Sequence, residues 1–385
     1  MAGRAPVILS YRYRLYPTQA QGAALGEMLG GLCDLYNAAL QQRIEAHQRR
    51  GLTLRYGQQA AELKAVREAD ERLASCSFSA EQQVLRRLDK SFAAFFRRIK
   101  SRDGKAGFPR FRAKSRFDSA DFRVGDGLTI RKSKRLGIVG IPGEIKVKWH
   151  RALPPDAKVG AAVVSRSCGK WFACFQIEVP DTAPKPRPFA PVGVDLGLAS
   201  LVALSTGETV PAPQHTAKAA KALRIAQRTV ARRKRHSRRQ RKAKALVARL
   251  SARVAAQRRD FSHKLSRSLV DNFTHLAFED LNIAGLARGM LAKSAHNAAW
   301  NQLLQHVTYK AACAGSVVAL VDPRGTSQTC PDCGAVAAKT LAVREHRCAC
   351  GCTLDRDVAA AHVVLQRATF GPGTGLQAIS QRVAA

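Results

Sequence analysis

The chain has 385 residues, which is enough for two or three domains with separate hydrophobic cores. Lysine and arginine number 64 against 28 acidic residues, so the formal net charge is +36, which indicates a polyanionic partner. A membrane-surface protein is the rival class, but the sequence contains no long uncharged apolar span or amphipathic anchor. The N-terminus lacks the apolar core of a signal peptide, and five of the ten cysteines are scattered; both features predict a reduced, cytoplasmic protein.

The first half of the chain predicts a strand, a set of helices and then a β-rich region. Residues 7–16 alternate apolar and polar side chains and predict a strand that ends at Pro17. From Thr18, a residue type that caps helices, to about Lys100, apolar residues recur at helical spacing. Short β-type runs between residues 122 and 180 are separated by glycine and proline. They predict a small antiparallel barrel or sandwich.

The second half alternates strands and helices. Residues 192–204 predict a buried strand, a glycine-containing turn and a second strand. Residues 218–272 contain no glycine or proline and predict one long helix or two. Short apolar strands are predicted at 276–279 and 317–321, and a last helix at 357–366. This alternation predicts an α/β fold.

Three acidic residues stand at strand ends or a helix start in otherwise apolar surroundings: Asp195, Glu279 and Asp357. Buried carboxylates are unfavourable unless they are paired or hold a metal ion. Together the three could hold two Mg²⁺ ions about 3.5–4 Å apart, because hard oxygen ligands favour magnesium over zinc. The alternative is that each is a helix cap or a surface acid. Sequence alternation leaves open whether Asp280 and Asp355 take these places.

Five cysteines near the end of the chain have metal-ligand spacing. Cys330 and Cys333 form a standard knuckle, which predicts half of a tetrahedral zinc site. The second knuckle is tighter, and we predict Cys348 and Cys350 as its ligands because glycine follows Cys350 as it follows Cys333. Cys352 is the competing ligand. The alternative, buried free cysteines, is disfavoured by the density of the cluster.

Two basic segments are candidates for contact with nucleic acid. One is an arginine run within the helical stretch, which we predict to contact phosphates: Arg232, Arg233, Arg235, Arg238, Arg239 and Arg241. The other is a loop in which Phe108 and Phe111 alternate with Arg110 and Arg112, a mixture suited to single-stranded or distorted nucleic acid. A solvated helix face and a packed loop are the respective alternatives.

These motifs, in this order, resemble the TnpB family of transposon-encoded RNA-guided nucleases, ancestors of the type V CRISPR effectors. The resemblance covers nearly the whole chain. It rests on Asp195 after a strand, Glu279-Asp280-Leu281, Thr326-Ser327-Gln328-Thr329-Cys330-Pro331-Asp332-Cys333-Gly334, Cys350-Gly351 and Asp355-Arg356-Asp357, with Tyr13-Arg14-Leu15-Tyr16-Pro17 and Gly107-Phe108-Pro109-Arg110-Phe111 in the first half.

The resemblance implies a multidomain α/β protein. It implies an oligonucleotide-binding-like β-barrel, or wedge domain, from residues 1–17 and 118–182, with a helical recognition domain at 18–117 inserted into it. A RuvC nuclease domain of RNase H-like fold would comprise 190–322 and 354–370, interrupted by a zinc ribbon at 323–353 and followed by a loose tail at 371–385.

The resemblance also implies the activity and its residues. The nuclease acids would be Asp195, Glu279 and Asp357, and the choice of Glu279 and Asp357 over their acidic neighbours rests on the family pattern. The cofactors would be structural Zn²⁺, catalytic Mg²⁺ and a guide RNA from the transposon end. That RNA would direct cleavage of double-stranded target DNA beside a short flanking motif. Tyr56 and Gln82 lie where such proteins read that motif.

Two departures from the family pattern keep other functions open. The family carries asparagine two and six residues after the last aspartate, where this chain has Ala359 and Val363. One alternative is therefore a nuclease-impaired, RNA-guided DNA-binding regulator, and another is a DDE-type transposase with the same metal chemistry. The resemblance predicts a cytoplasmic, nucleoid-associated bacterial or archaeal protein and leaves a monomer and a dimer equally open.

Overall fold

The computed structural model describes residues 7–101, 106–154, 157–179, 187–198, 200–282, 298–340 and 343–370. The chain divides into two compact units, Met1–Asp181 and Thr182–Ala385. The tail predicted at 371–385 lies outside the described residues. In the parts of the chain given above, no helix has both the length and the apolar character needed to cross a membrane.

The first unit consists of a β-barrel and a group of helices. Its elements in chain order are β1 (Val7–Tyr16), α1 (Gln19–Arg50), α2 (Tyr56–Ala69), α3 (Glu71–Ala74), α4 (Phe78–Ser101), a 3₁₀ turn (Lys114–Arg116), β2 (Ser119–Val124), β3 (Gly127–Ile130), β4 (Leu136–Ile138), β5 (Glu144–Lys148), β6 (Lys158–Ser167) and β7 (Lys170–Val179).

The seven strands close into a barrel in the order β1-β5-β4-β3-β2-β6-β7. This confirms the predicted barrel, although the short β2–β3 pair is parallel, whereas the other neighbouring pairs are antiparallel. Inward-facing side chains such as Tyr13, Phe122 and Phe175 are fully buried and fill the interior. Strand β2 was not predicted from the sequence.

Helix α1 of the first unit has a capping signal at each end. The Thr18 side chain accepts a hydrogen bond from the Gln21 backbone, and the Gln21 side chain accepts one from the Thr18 backbone, which forms a capping box. Gly51 ends α1 with a φ of 63°, a conformation that glycine adopts without steric cost. These signals confirm the predicted start at Thr18.

The second unit contains a five-stranded sheet, four helices and a two-stranded hairpin among its described residues. Its elements are β8 (Pro191–Asp195), β9 (Ser200–Leu204), β10 (Thr209–Pro211), α5 (His215–Arg232), α6 (Arg238–Asn272), β11 (His275–Glu279), α7 (Trp300–Ala314), β12 (Val317–Val321), β13 (Glu345–Arg347), β14 (Thr353–Asp355) and α8 (Arg356–Phe370).

The sheet has the order β10-β9-β8-β11-β12. Strand β9 is antiparallel to both of its neighbours, β10 and β8, whereas β8, β11 and β12 run parallel. Parallel neighbours place their carboxyl ends at the same edge of the sheet. Val194 pairs with Phe278, so the residues that follow them, Asp195 and Glu279, emerge side by side at that edge.

The last helix, α8, packs directly on the first strand of the sheet. A Cβ atom at Gly193 would overlap the carbonyl oxygen of Ala361, so glycine is required for the helix to approach the strand this closely. Buried Val364 of α8 lies in a cluster with Ala277 and Val321 of the neighbouring strands. The packing of α8 therefore brings its first turn, with Asp357, to the edge that carries the other two acids.

Candidate functional site

The structure brings the three predicted acids together from distant parts of the sequence. Asp195 ends β8, Glu279 ends the adjacent strand β11, and Asp357 lies in the first turn of α8. One Asp357 carboxylate oxygen lies 3.5 Å from where a Cβ at Gly197 would stand, just beyond Asp195. Each position is thus set by a different element of one sheet-and-helix arrangement.

The electrostatics of the acids reflect this convergence. Burial, reinforced by the nearby Glu279 and Asp357 carboxylates, raises the pKa of Asp195 to about 8, while Arg356 offsets part of the effect. Burial likewise raises the pKa of Glu279, against a hydrogen bond from Thr326. Burial and then Asp355 raise the pKa of Asp357. All three pKa values are therefore raised by burial, and for Asp195 and Asp357 neighbouring acids add to the increase.

The donor set fits magnesium rather than a thiophilic metal, because hard carboxylate oxygens converge with unbalanced negative charge. Among the described residues, groups of three or more potential ligand atoms within 4.8 Å of one another contain only cysteines and His346. The three carboxylates do not form such a group.

The acidic neighbours that the sequence could not separate have different environments. Asp280 is exposed, whereas Glu279 is 7% exposed and faces the interior. Asp355 is also exposed, and its carboxylate accepts hydrogen bonds from the backbone of Asp357 at 2.9 Å and of Val358 at 3.3 Å. Asp355 is therefore the cap of α8, which leaves Asp357 free to face the other acids.

Two residues that contact or adjoin these acids were missed by the sequence analysis. The Thr326 hydroxyl donates a hydrogen bond to Glu279. Arg356 is 9% exposed and donates to the backbone oxygens of Thr340 at 2.8 Å and Val343 at 3.2 Å. The signal for Arg356 was its place between two aspartates, but the sequence does not show that a threonine 47 positions away reaches Glu279.

The cysteines form a compact cluster next to this site in the same unit. The Sγ atoms of Cys330, Cys333, Cys348 and Cys350 all lie within 4.8 Å of one another. The pairs Cys330–Cys350 and Cys333–Cys348 are 3.7 and 3.5 Å apart, close to the ~3.8 Å edge of a tetrahedron with Zn–S bonds of ~2.3 Å. The four sulfur atoms therefore fit a zinc ion.

The fifth cysteine belongs to a second, overlapping set. Cys352 is buried and lies within 4.8 Å of Cys330 and of buried His346. Its backbone oxygen accepts a hydrogen bond from Cys348 at 3.0 Å, which closes the tight turn through Gly351. The geometry of the four-sulfur set favours Cys350 over Cys352 as the fourth ligand.

The predicted nucleic-acid residues lie on the surfaces of their units. All six arginines of the run are exposed, as are Arg110 and Arg112. The run spans the break between α5 and α6, where His236 has a φ of 63° and the Ser237 side chain accepts from the Gln240 backbone. The predicted stretch is therefore two helices. Tyr56 and Gln82 are both half-buried, and the Tyr56 ring lies 5.0 Å from the Arg86 guanidinium.

Three family models match the chain. They are described as "Probable transposase" at residues 174–290, "Cas12f1-like, TNB domain" at 300–364 and "Helix-turn-helix domain" at 1–51. The described part of residues 1–51 contains strand β1 and the single helix α1. The description "Helix-turn-helix domain" therefore does not fit the local geometry. The "TNB domain" match includes the four-cysteine cluster and Asp357.

Two relatives align with most of the chain. A protein of Streptomyces pristinaespiralis named "Putative RNA-guided DNA endonuclease" is 35% identical over 92% of this chain and 88% of its own length. "Putative RNA-guided DNA endonuclease InsQ" of Escherichia coli (strain K12) is 27% identical over 88% of this chain and 87% of its own. The solved structure "Cryo-EM structure of the Cas12f1-sgRNA-target DNA complex" matches with a TM-score of 0.58 at 12% identity, covering 90% of this chain and 83% of that one.

The matches define a class of protein first. The chain has a Cas12-like multidomain α/β fold, with a seven-stranded barrel and a cysteine cluster in the region of the TNB model. Its extensive identity to the Streptomyces relative then shows the family, and the chain belongs to the TnpB family.

Proposed function

We propose that this protein is a transposon-associated, RNA-guided DNA endonuclease whose nuclease residues are Asp195, Glu279 and Asp357. The observation that carries the proposal is the convergence of these acids at one sheet edge, where Asp195 has a pKa raised to about 8. The names of both relatives support the activity, and so does the family. Its partners are a guide RNA from the transposon end and double-stranded target DNA.

The sheet supports assignment of the second unit to a RuvC-type, RNase H-like nuclease domain. Three antiparallel strands followed by two parallel ones, in the order β10-β9-β8-β11-β12, present the acids at the carboxyl ends of β8 and β11. We assign residues 190–322 and 354–370 to this domain and 323–353 to the zinc ribbon. The barrel and helices of the first unit are then the wedge and recognition domains, 1–17 with 118–182 and 18–117.

Asp195, Glu279 and Asp357 are the residues that would hold Mg²⁺. When bound, the metal supplies an activated water and stabilises the departing 3′ oxygen of the cleaved phosphodiester. The chain's own contribution is placement. The parallel pair β8–β11 fixes two acids side by side, Asp355 caps the helix that carries the third, and Arg356 supplies a buried positive charge beside them.

The cysteine cluster would hold a structural zinc ion through Cys330, Cys333, Cys348 and Cys350. A Cys350→Ser variant is expected to lose its zinc, measured as metal content of the purified chain, whereas Cys352→Ser retains it. Retention by Cys350→Ser with loss by Cys352→Ser would reverse this assignment. Because ligation supplies much of the folding energy of so small a segment, zinc loss should also expose the ribbon to proteolysis.

The exposed arginines are proposed to neutralise phosphates of the guide RNA or target DNA. Replacing Arg235, Arg238 and Arg239 with glutamine should lower RNA affinity and reduce the slope of log K against log salt by about 0.7–0.9 for each phosphate that is no longer neutralised. Arg110 and Arg112 are proposed to contact nucleic acid in the same way. Tyr56 and Gln82 are proposed to read the flanking motif, so Gln82→Ala should change the motif preference more than the overall affinity.

The decisive experiment uses the acid pair at the end of β11. The protein is purified with its RNA and incubated with Mg²⁺ and duplexes that carry the target beside a randomised flank. Glu279→Gln should abolish cutting, whereas Asp280→Asn should keep it, because Asp280 is exposed. If no flank supports cleavage by the wild-type protein, or if Glu279→Gln cuts normally, the endonuclease proposal fails.

A second candidate function has a specific observation in its favour. Ala359 and Val363 are both buried in α8 and offer no polar group where the family carries asparagine. A guided DNA-binding regulator would bind the same target without strand scission. Cut product that disappears in Glu279→Gln excludes it, and an assay for joining of transposon ends separates both functions from a DDE-type transposase.

A further inference from the structure

The zinc ribbon and the acidic cluster are joined by one buried hydrogen bond. Thr326 lies at the start of the ribbon, and its hydroxyl donates to Oε1 of Glu279. Both residues are almost completely shielded, at 4% and 7% exposed. The same hydroxyl is 3.1 Å from the carbonyl oxygen of Pro323. Glu279, which accepts the hydrogen bond, ends a strand whose neighbouring residues are buried and apolar.

The position of Thr326 is fixed by the ribbon rather than by the sheet. It lies four residues before Cys330 in a turn in which the backbone of Gln328 and of Thr329 donate to Gly325, at 3.0 and 2.9 Å. The backbone of Cys330 then bonds Ala335 at 2.8 Å, which closes the first cysteine knuckle. A metal ion that holds this knuckle therefore also holds the turn that presents Thr326.

Helix α8 fixes the other side of the ribbon. Gln366 donates to the backbone oxygen of Pro331 at 2.7 Å, and Arg367 donates to the backbone oxygens of Asp322 at 2.6 Å and Arg324 at 2.8 Å. The segment that carries Thr326 is thus held between the knuckle and the helix of Asp357. The Thr326 hydroxyl is therefore a direct contact between this segment and the Glu279 carboxylate.

We propose that Thr326 is a positioning residue that couples the zinc-bound ribbon to the Mg²⁺-binding carboxylate of Glu279. The inference rests on the proposed nuclease function of that acid. A hydrogen bond to a metal-binding carboxylate restricts its orientation, and loss of such an outer partner typically lowers metal affinity about 10–100-fold. Thr326 is then one of the side chains that link the ribbon to the acidic cluster, and the one that contacts an acid directly.

The test measures ion binding without relying on cleavage. Mn²⁺ serves as the probe in place of Mg²⁺, and its binding to the zinc-loaded full chain is followed by electron paramagnetic resonance. Thr326→Val keeps the shape of the side chain but removes the donor, and is expected to bind Mn²⁺ about 10–100-fold more weakly with unchanged zinc content. Thr326→Ser keeps a hydroxyl and should recover most of the affinity.

Thr329→Val is the matched control. The Thr329 hydroxyl donates to the backbone oxygen of Gly325, at 2.8 Å, so this variant removes a ribbon hydroxyl that bonds a carbonyl rather than an acid. In cleavage, Thr326→Val should need more Mg²⁺ for half-maximal rate and recover at saturating Mg²⁺, whereas Thr329→Val should match wild type. This split separates weaker metal binding from slower chemistry.

Several outcomes overturn the inference. Wild-type Mn²⁺ affinity in Thr326→Val, equal weakening in Thr329→Val, or loss of zinc together with Mn²⁺ would each show that Thr326 does not act by orienting Glu279. If Asp195→Asn and Glu279→Gln also bind Mn²⁺ like the wild type, the proposed function fails as well. If those two variants lose the ion while Thr326→Val keeps it, only the coupling is wrong.

Discussion

The two units each bury acidic side chains, but they neutralise them differently. In the first unit, Glu81 is 0% exposed and both of its carboxylate oxygens lie 2.7 Å from the Arg67 guanidinium. In the second, the nearest charged partners of Asp195 include two further carboxylates, Glu279 and Asp357. Arg67 pairs directly with Glu81, whereas Asp195 lies among other acids and Arg356 offsets only part of their effect.

The pKa directions express the same difference. Burial raises the pKa of Glu81 to about 6, and Arg67 opposes the increase. For Asp195 the neighbouring acids reinforce the effect of burial, and the pKa reaches about 8. Glu81 thus has a direct counter-charge, whereas Asp195 does not, which is the pattern expected of a functional acid on the proposed function.

The largest expected effect is on DNA cleavage, which should depend on the acidic cluster of the second unit and not on Glu81 of the first. Asp195→Asn should lower the DNA cleavage rate about a thousandfold or more, because metal stabilisation of the transition state is worth several kcal/mol. Glu81→Gln should leave cleavage by the folded protein near wild type. Single-turnover cleavage at saturating Mg²⁺ measures both, and comparable losses in the two variants would remove the distinction.

The next effect concerns the stability of the first unit. Arg67→Met leaves Glu81 buried without its partner, which should lower the free energy of unfolding by about 3–5 kcal/mol. The matched control is Arg72→Met, whose ion pair with Asp70 has an arginine side chain 74% exposed and should therefore contribute little to stability. Denaturant unfolding followed by circular dichroism compares them, and equal midpoints would contradict the prediction.

A smaller effect of opposite sign is expected at the acidic cluster. In metal-free protein, Asp195→Asn should raise the free energy of unfolding by about 1–2 kcal/mol at about pH 7–8, because it removes a carboxylate that must take up a proton when the chain folds. Folded Asp195 keeps its proton up to its pKa of about 8, whereas the unfolded residue loses it near the usual pKa of 3.8. The wild-type protein should therefore lose stability as pH rises through this window.

The Asp195→Asn variant and added Mg²⁺ each test the expected loss of stability with rising pH. Thermal unfolding between about pH 5 and 8 should show a flatter pH dependence in Asp195→Asn than in wild type. Added Mg²⁺ should stabilise the wild type most at the alkaline end, where the carboxylates are free to bind it. A wild-type profile that rises across the window, with no effect of the substitution, would contradict the pKa assigned to Asp195.

The smallest signal is the release of protons on metal binding. Because Asp195 is protonated near neutral pH in the metal-free protein, Mg²⁺ binding should displace part of a proton per chain. Calorimetric titrations at neutral pH in two buffers of different ionisation enthalpy measure this release. It should disappear in Asp195→Asn and persist in Glu81→Gln, and identical heats in both buffers would argue against a protonated cluster.

The sequence predicted most elements because their signals are local. The Thr18 capping box and the apolar spacing of α1 identify that helix without tertiary information. Strand β2 alternates polar and apolar residues, so a strand signal was present, but Ser119, Ala120 and Asp121 are not residues that favour strands, and its pairing with β6 is a tertiary effect. The break near His236 had a usable signal, since Ser237 and Gln240 form a capping pair, but the surrounding arginines concealed it.

The site was predictable only in part. Motif order suggested Asp195, Glu279 and Asp357, but the choice between Glu279 and Asp280 depends on which side of β11 faces α8. That is decided by the packing of a helix almost 80 residues downstream, which no local pattern encodes. The hydrogen bond from Thr326 to Glu279 is equally non-local, so neither propensity nor spacing could reveal it.

The close fit of α8 over Gly193 has a consequence for the timing of synthesis. Strand β8 leaves the ribosome long before α8, the helix that covers it, has been made, and domains generally fold as complete units during translation. A chain that ends between β11 and α8 therefore has two of the three acids and lacks the helix that covers β8. On the proposed function, such a chain has an incomplete set of metal ligands and is not expected to cut DNA.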